Sequence, residues 1–446
     1  MTITCAIELG SARIKAVAAE RDESGRIHIR AVESIVSNSC IRHGYVHNYE
    51  DTAAKVKGLI QKLNNRLSST VGSVTIEKAY ICVAGMSIHT IPHTPLIHLD
   101  DSGIVTSDIV KKMMKESQEI TLQGYDNLEV VPMYYELDGH AYFEATGGIG
   151  AELIAHHQII VARTKLLDGI RRIMSRAGLT IAGYITQPIA LAQLLTEEEK
   201  KRGCVLINWG AETTTIIIYK NQILRHIAVI PLGGESVTRD IMSQGFRHEK
   251  AEKTKVEWSS VVPDNKNDAR PSIFEENVIG MEIPLLNTIV QYRVEEIIAN
   301  LKHQISRSGL STSQLEGGCI ITGDAANQKG LNTLLSREFN LPVSVRAYSK
   351  NLAGGAEKRL RYAGILCCIE QCKENCAREK SETYNENIET TAPTQTITQQ
   401  EQVNNRTKGA DNQKEKEREV ESPLLSKRSK KGINRFFEDL FSGLDD

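Results

Sequence analysis

The sequence predicts an α/β chain of two lobes built on one plan, and a repeated hairpin carries that prediction. The first copy to notice is Gly203 to Tyr219. It begins as a buried strand (Cys204 to Ile207), breaks at Gly210 and resumes as a β-branched strand from Thr213 to Tyr219. Strand, glycine-centred turn and strand is the shape of a loop that turns backbone N–H groups toward a bound anion. A weaker copy lies at the N-terminus, Cys5 to Glu20: an apolar strand, a carboxylate at Glu8, a turn at Gly10–Ser11 and a returning strand. Either hairpin alone is an ordinary glycine turn. The pair, in this order and spacing, points to a duplicated domain that pinches a phosphate ligand between its halves.

Length and composition bound the rest. At 446 residues the chain is too long for one small core and holds two or more domains. Its 40% apolar and 25% charged residues are those of a soluble globular protein. A formal charge of −2 speaks against general nucleic-acid binding, which needs a basic excess. No signal peptide is expected, because the apolar run Ile3 to Leu9 is short and soon meets Arg13, Lys15 and Glu20. No segment approaches the roughly 20 apolar residues of a membrane span. Cys5, Cys82, Cys204 and Cys319 sit in apolar, strand-like runs as small core residues. Cys368, Cys372 and Cys376 fall four apart and are expected on one helix face, with no fourth ligand nearby to complete a soft-metal site. An intracellular, reducing compartment is expected.

Taken in order, residues 1–83 read as strands, a helix (Thr52 to Leu67, apolar at helical spacing) and a strand from Lys78 to Val83. Residues 84–162 have a different texture, that of a small α+β insert. It has a helix within Val105 to Ile120, a hairpin around Asp138–Gly139 and a strand His156 to Val161. His156 and His157 point to opposite faces of that strand and read as a solvated edge pair. An amphipathic helix, Thr164 to Ala177, closes at Gly178. A strand, Thr180 to Ile185, then leads through Gln187–Pro188 into a short helix, Ile189 to Leu195. After the second hairpin a helix starts near Glu235, residues 249–262 are mixed, and 263–272 read as a surface loop. A long helix, Pro284 to Ile305, is expected to bury Leu285, Ile289, Val294, Ile297, Ile298 and Leu301. A strand Gly317 to Thr322, a helix Gly330 to Phe339, a strand Val343 to Val345 and a last helix, Lys358 to Cys376, complete the pattern.

Residues 379–431 are too polar to bury the surface that would offset ordering, and read as a disordered linker. The chain then ends in a segment, 432–446, whose Ile433, Phe436, Phe437, Leu440, Phe441 and Leu444 fall on one helical face. They cover an arc of about 140°. Such a helix lies on a membrane or docks in a partner's groove. Lys427, Arg428, Lys430 and Lys431 favour an anionic lipid surface, while Glu438, Asp439, Asp445 and Asp446 oppose it. One tail binds weakly and several bind tightly, a physical reason to expect self-assembly.

The order of elements resembles the actin/Hsp70/sugar-kinase superfamily and, within it, the FtsA family of bacterial cell-division proteins. The resemblance covers about residues 1–378 plus the tail helix. The family's first phosphate loop, approximately D-I-G-T-T-K, is matched by Glu8-Leu9-Gly10-Ser11-Ala12-Arg13, and its second, D-I-G-G-G-T, by Asn208-Trp209-Gly210-Ala211-Glu212-Thr213. Its adenosine loop T-G-G-A is matched by Thr322-Gly323-Asp324-Ala325, and its A-E-x-x-K, on ribose and base, by Ala251-Glu252-Lys253-Thr254-Lys255. The S-G-x-H-I that opens the family's insert resembles Ala84-Gly85-Met86-Ser87-Ile88-His89. No one motif is specific; the five in order, with the tail, are.

This resemblance implies an actin-like fold with subdomain 1A over 1–83 and 163–202 (with a returning helix, 353–378) and an inserted subdomain 1C over 84–162. Subdomain 2A would take 203–241 and 308–352, and subdomain 2B 242–307. It implies ATP and Mg²⁺ as cofactors, with no metal held directly by protein. The FtsZ C-terminal tail would dock on 2B, later divisome proteins on 1C, and the chain would self-associate into actin-like filaments. Its place would be the cytoplasmic face of the inner membrane at the septum, as a peripheral tether of the Z-ring. Departures at the site point to weak binding and slow or absent hydrolysis. Glu8 moves the first carboxylate out by one methylene, and Asn208 can be neither a base nor an anionic outer-shell ligand. Glu212 sets a charge where a glycine would meet phosphate, and repels a nucleotide unless it turns away or meets a cation. Ala211 and Asp324 also replace glycines. Gln187 takes the place that orients water in relatives. A sugar or small-molecule kinase of the same superfold, a pilus-type assembly protein and an Hsp70-like chaperone are the rival readings. Asn208 and the tail count against the first, the tail against the second, and the absence of room for a peptide-binding domain against the third.

Overall fold

Two five-stranded sheets follow the same path, and that repeat organises the molecule. The computed structural model describes residues 2–379 except 71, 73, 263–272, 276–277 and 350–355. The surface loop expected at 263–272 lies outside the described residues, as do the linker beyond Glu379 and the tail helix with Ile433, Phe436, Phe437, Leu440, Phe441 and Leu444.

The first sheet is built from β1 (Thr2–Leu9), β2 (Arg13–Arg21) and β3 (Ile27–Val36) as an antiparallel meander. Helix α1 (Tyr49–Thr70) crosses it and delivers β4 (Lys78–Val83) parallel to β1. Seven of the eight residues of β1 are buried, as expected of a strand covered on both faces. The insert follows, with β5 (His89–His93), β6 (Leu96–His98), α2 (Ser107–Glu119), β7 (Tyr125–Leu137), β8 (His140–Tyr142) and β9 (Glu152–Arg163). Its Asp138 and Gly139 take positive φ in the β7–β8 turn, as that hairpin requires. Helix α3 (Thr164–Ala177) ends on Gly178 in the left-handed conformation, and β10 (Thr180–Thr186) then pairs parallel to β4. The short helix α4 (Gln187–Leu191) follows directly.

The second sheet repeats the first. Strands β11 (Cys204–Trp209), β12 (Thr214–Lys220) and β13 (Ile223–Ile230) form the meander. After α5 (Gly234–Met242), α6 (His248–Trp258) and α7 (Ile283–Arg307), strand β14 (Gly318–Thr322) joins parallel to β11. Helix α8 (Leu331–Phe339) leads to β15 (Val343–Val345), parallel to β14. The sheet orders are therefore β10-β4-β1-β2-β3 and β15-β14-β11-β12-β13, the same topology twice. Strand β11 serves two cores by its alternation: Cys204 and Leu206 pack into the core of the first lobe, Val205, Ile207 and Trp209 into that of the second.

Four expectations are corrected. Residues 249–262 are not mixed: His248–Trp258 is a helix that buries Ala251, Thr254 and Lys255. In α7 the buried set is Ile283, Leu286, Val290, Val294, Ile297, Ile298, Leu301 and Ile305, and Leu285 is on the exposed side. His156–His157 is not an edge pair. Strand β9 is paired on both sides, by β7 and β5, so His157 is 1% exposed and His156 stacks on Tyr134 at 4.2 Å.

The fourth concerns the last helix, α9 (Ala356–Ile369), which stops before Cys372 and Cys376. Tertiary hydrogen bonds outcompete the next turn. Arg21 donates to the carbonyls of Glu370 and Cys372, and Cys376 N–H donates to Ile3 O. The chain then adds β16 (Ala377–Glu379). Cys368, Cys372 and Cys376 therefore do not share a helix face. Cys368 is joined to Cys82 as a disulfide with a Cα–Cα distance of 5.9 Å, so these two are not free core thiols. Among the described residues no group of three or more His, Cys, Asp or Glu is arranged to hold a metal, and no helix is long and apolar enough to cross a membrane.

Candidate functional site

The second hairpin turn lies where the two lobes meet, and Glu8 of the first hairpin approaches the same place. In the first, β1–β2 register sets Glu8 opposite Lys15, and the ammonium sits 2.8 Å from Glu8 Oε1. Glu8 is 8% exposed, and its other oxygen, Oε2, is buried without a protein partner. Gly10 is required here: a Cβ would meet Arg13 O at 2.7 Å. The carbonyls of Ser11 and Ala12 accept hydrogen bonds from Ser37. The Arg13 guanidinium is spent on Ser34, donating to its hydroxyl and its carbonyl.

The second turn has the same frame and different contents. Gly210 N–H donates to Thr213 O at 2.9 Å, and a Cβ on Gly210 would meet that oxygen at 2.8 Å. The carbonyls of Gly210 and Ala211 accept from Gly234 and Glu235 N–H, at the start of α5. This approach is possible only because residue 233 is glycine, whose Cβ would lie 2.5 Å from Ala211 O. Register puts Asn208 opposite Thr215, so nothing here corresponds to Lys15. Asn208 instead reaches the first lobe, its amide donating to Gln187 Oε1 at 3.1 Å. Gln187 is 4% exposed at the start of α4 and donates to Cys82 Sγ at 3.6 Å. Glu212 resolves its charge through a cation: Oε1 is 2.7 Å from Arg239, while Oε2 accepts His43 N–H at 2.8 Å.

The structure brings the catalytic candidates Glu8, Gln187 and Asn208 to one place, and α9 closes it. A Cβ on Gly364 would lie 2.5 Å from Gln187 Nε2 and 3.3 Å from Glu8 Oε2. Of the adenosine-loop candidates, Gly323 has φ +94°, and a Cβ there would meet Trp209 O at 2.4 Å and Asn208 Oδ1 at 2.7 Å. Asp324 turns its carboxylate to Arg361 of α9 at 2.8 Å, and Ala325 lies against Gly234. On α6, Lys255 is buried with three acceptors: Gly234 O at 3.0 Å, Thr238 Oγ1 at 2.8 Å and Glu252 Oε2 at 2.6 Å. Burial pushes the Glu252 carboxyl up, but the Lys255 ammonium and Thr238 hydroxyl outweigh it and hold it below its usual range. Lys255 and Glu252 thus brace α6 against the start of α5.

Several residues of this site escaped sequence reasoning. Lys15 was legible in principle, since a three-residue turn at Gly10–Ala12 dictates the Glu8–Lys15 register. Gly364 carried a weaker signal, a glycine inside a helix that it destabilises. Gly233–Gly234 ahead of a helix signalled a close backbone approach. His43, Arg239 and Arg361 carried none, because their partners lie far away in the chain.

A family model described as cell division protein FtsA matches residues 205–363. The chain is 31% identical over 328 residues to the cell division protein FtsA of Porphyromonas gingivalis, covering 72% of this chain and 68% of that protein. It is 26% identical over 361 residues to that of Bacillus subtilis, covering 78% of this chain and 79% of its relative. Among solved structures it is similar to a chain of the PilM–PilN type IV pilus biogenesis complex, with a TM-score of 0.59 and 14% identity. That likeness covers 82% of this chain and 98% of the other, and concerns the fold alone.

Proposed function

This chain belongs to the FtsA family of cell division proteins, with their two-lobed actin-like fold, and we propose from that premise that it is a membrane adaptor. It would tether a tubulin-like FtsZ filament to the cytoplasmic face of the inner membrane at the septum. The second lobe would hold the FtsZ tail, the amphipathic segment 432–446 would hold the lipid, and self-association would multiply weak single-tail binding. In support of the docking side, α5 and α7 form a groove of about 300 Å³ lined by Asp240, Gln244, Tyr292, Arg293 and Glu296. Tyr292 is 68% exposed there and offers an aromatic anchor, and Arg293 is held by Asp240 at 2.6 Å.

A nucleotide in the cleft is the second part of the proposal. Gly10 and Gly210, whose Cβ atoms would clash with the carbonyls of Arg13 and Thr213, keep both turns tight, the shape in which backbone N–H groups can cradle phosphate. Mg²⁺ fits less well, since one oxygen of Glu8 is held by Lys15 and the facing position is Asn208. Glu8 Oε2 is the oxygen left for a water of a hydrated ion, which when bound would offset phosphate charge. The observation that carries the reading of slow or absent hydrolysis is the Asn208–Gln187 amide pair. Neither amide can take a proton from water at neutral pH, and one oxygen of the nearby carboxylate, Glu8, is already held by the Lys15 ammonium.

Co-sedimentation tests the tether. FtsZ is expected to pellet with anionic liposomes only when this chain is present, and deletion of residues 433–446 is expected to abolish pelleting. Undiminished pelleting by the deleted chain would end the tether reading.

A further inference from the structure

Glu212 is placed to do the work of a ligand's phosphate. It sits at the tip of the second hairpin, 9% exposed, with both carboxylate oxygens engaged. Oε1 pairs with Arg239 of α5, in the same lobe, at 2.7 Å, and Oε2 accepts the backbone N–H of His43, in the first lobe, at 2.8 Å. The Glu212 carbonyl also lies 3.1 Å from His43 Nδ1. One backbone N–H and one guanidinium on an anionic oxygen pair is the chemistry by which proteins hold phosphate.

The donor on the far side is pre-set. His43 has φ +50°, a left-handed conformation uncommon for non-glycine residues. Its carbonyl accepts Met86 N–H at 3.0 Å, and the next residue, Gly44, packs so closely on Ala84–Gly85 that a Cβ would lie 2.5 Å from Gly85 Cα. The first lobe therefore presents the His43 N–H from a fixed turn. On the other side Arg239 is half-exposed, with Glu235 3.8 Å from its Nε, and Glu235 is in turn 2.9 Å from His248.

We infer that Glu212 is a built-in anion that clasps the two lobes together through His43 and Arg239. A nucleotide phosphate entering the cleft must displace it. The second half of this inference rests on the nucleotide reading above; the clasp itself does not.

Hydrogen–deuterium exchange on the full chain without nucleotide tests the clasp. In Glu212→Ala the peptide spanning residues 41–47 is expected to exchange at least ten-fold faster, with β1 to β3 unchanged. Unchanged exchange at 41–47 overturns the clasp. Glu212→Gln, which keeps the shape and loses the charge, is expected to fall between the two and serves if the alanine chain is poorly folded. Binding of a fluorescent ATP analogue with Mg²⁺ tests displacement: Glu212→Ala is expected to bind at least ten-fold tighter than the parent chain. Equal affinity overturns displacement. If neither chain binds, the nucleotide reading fails, and exchange at 41–47 still decides the clasp.

Discussion

The two hairpins share a frame and differ in where their charge is resolved. In the first, Glu8 is neutralised by Lys15 across the β1–β2 ladder, within one lobe. In the second, the position opposite Asn208 is Thr215, and the polar groups of the turn find partners in the other lobe, Asn208 on Gln187 and Glu212 on His43. The first hairpin draws its partners, Lys15, Ser34 and Ser37, from its own lobe and leaves Glu8 Oε2 without one. The second is satisfied partly within its own lobe, by Arg239, Gly234 and Glu235, and is completed by Gln187 and His43 of the other lobe. A duplicated fold can thus keep one copy of a loop for stability and convert the other into a joint.

The largest expected effect comes from breaking the local pair. Lys15→Met should leave a buried, unpaired Glu8 and cost about 3 kcal/mol or more in urea unfolding, and adding Glu8→Gln should recover most of it. No recovery in the double variant would mean that Lys15 acts through packing instead of charge.

A second test lies outside both hairpins, at a buried group held between a strand and helix α2. His157 is buried on β9, its Nδ1 2.7 Å from Ser117 Oγ, with His93 Nδ1 3.0 Å from that same oxygen. Burial, with His93 and His156 nearby, lowers its pKa to about 4. The unfolded chain takes up this proton near pH 6.5 and the folded chain does not. Stability should therefore fall as pH drops from about 6.5 to 4, by at most about 3 kcal/mol, and level off below. His157→Phe should flatten that slope in pH-dependent chemical denaturation; an unaltered slope would assign it to His89 and His226, whose pKa values burial also lowers.

The smallest effect is expected at the joint. Asn208→Ala removes one neutral hydrogen bond and should cost about 1 kcal/mol of global stability. The comparison predicts that the loss falls on lobe coupling. Exchange protection at residues 185–189 should drop while protection in β1–β3 holds, and a uniform drop in both would erase the distinction drawn between the hairpins.

Much of the fold could be read from residue pattern because each element obeys a short-range rule. The β-branched run Thr214 to Ile218, the Gly178 cap and the spacing of Val56, Ile60, Leu63 and Leu67 need no distant partner to be legible. Where the pattern misled, distant atoms outweighed it. Arg21 and Ile3 end the last helix before Cys372, and pairing on both edges of β9 buries His157. The site divides the same way. The candidates Glu8, Gln187 and Asn208 were visible as residues, but that α9 lays Gly364 against two of them was not.

The sequence by itself determined the repeat, the two glycine turns, and the loss of a carboxylate at Asn208, since these depend on residue identity and local spacing. Only the tertiary structure decided what Glu212 does. A carboxylate in a glycine turn is repulsive or adhesive according to the donors around it. Those donors, a backbone N–H at His43 and a guanidinium at Arg239, come from segments that folding alone brings within hydrogen-bond reach.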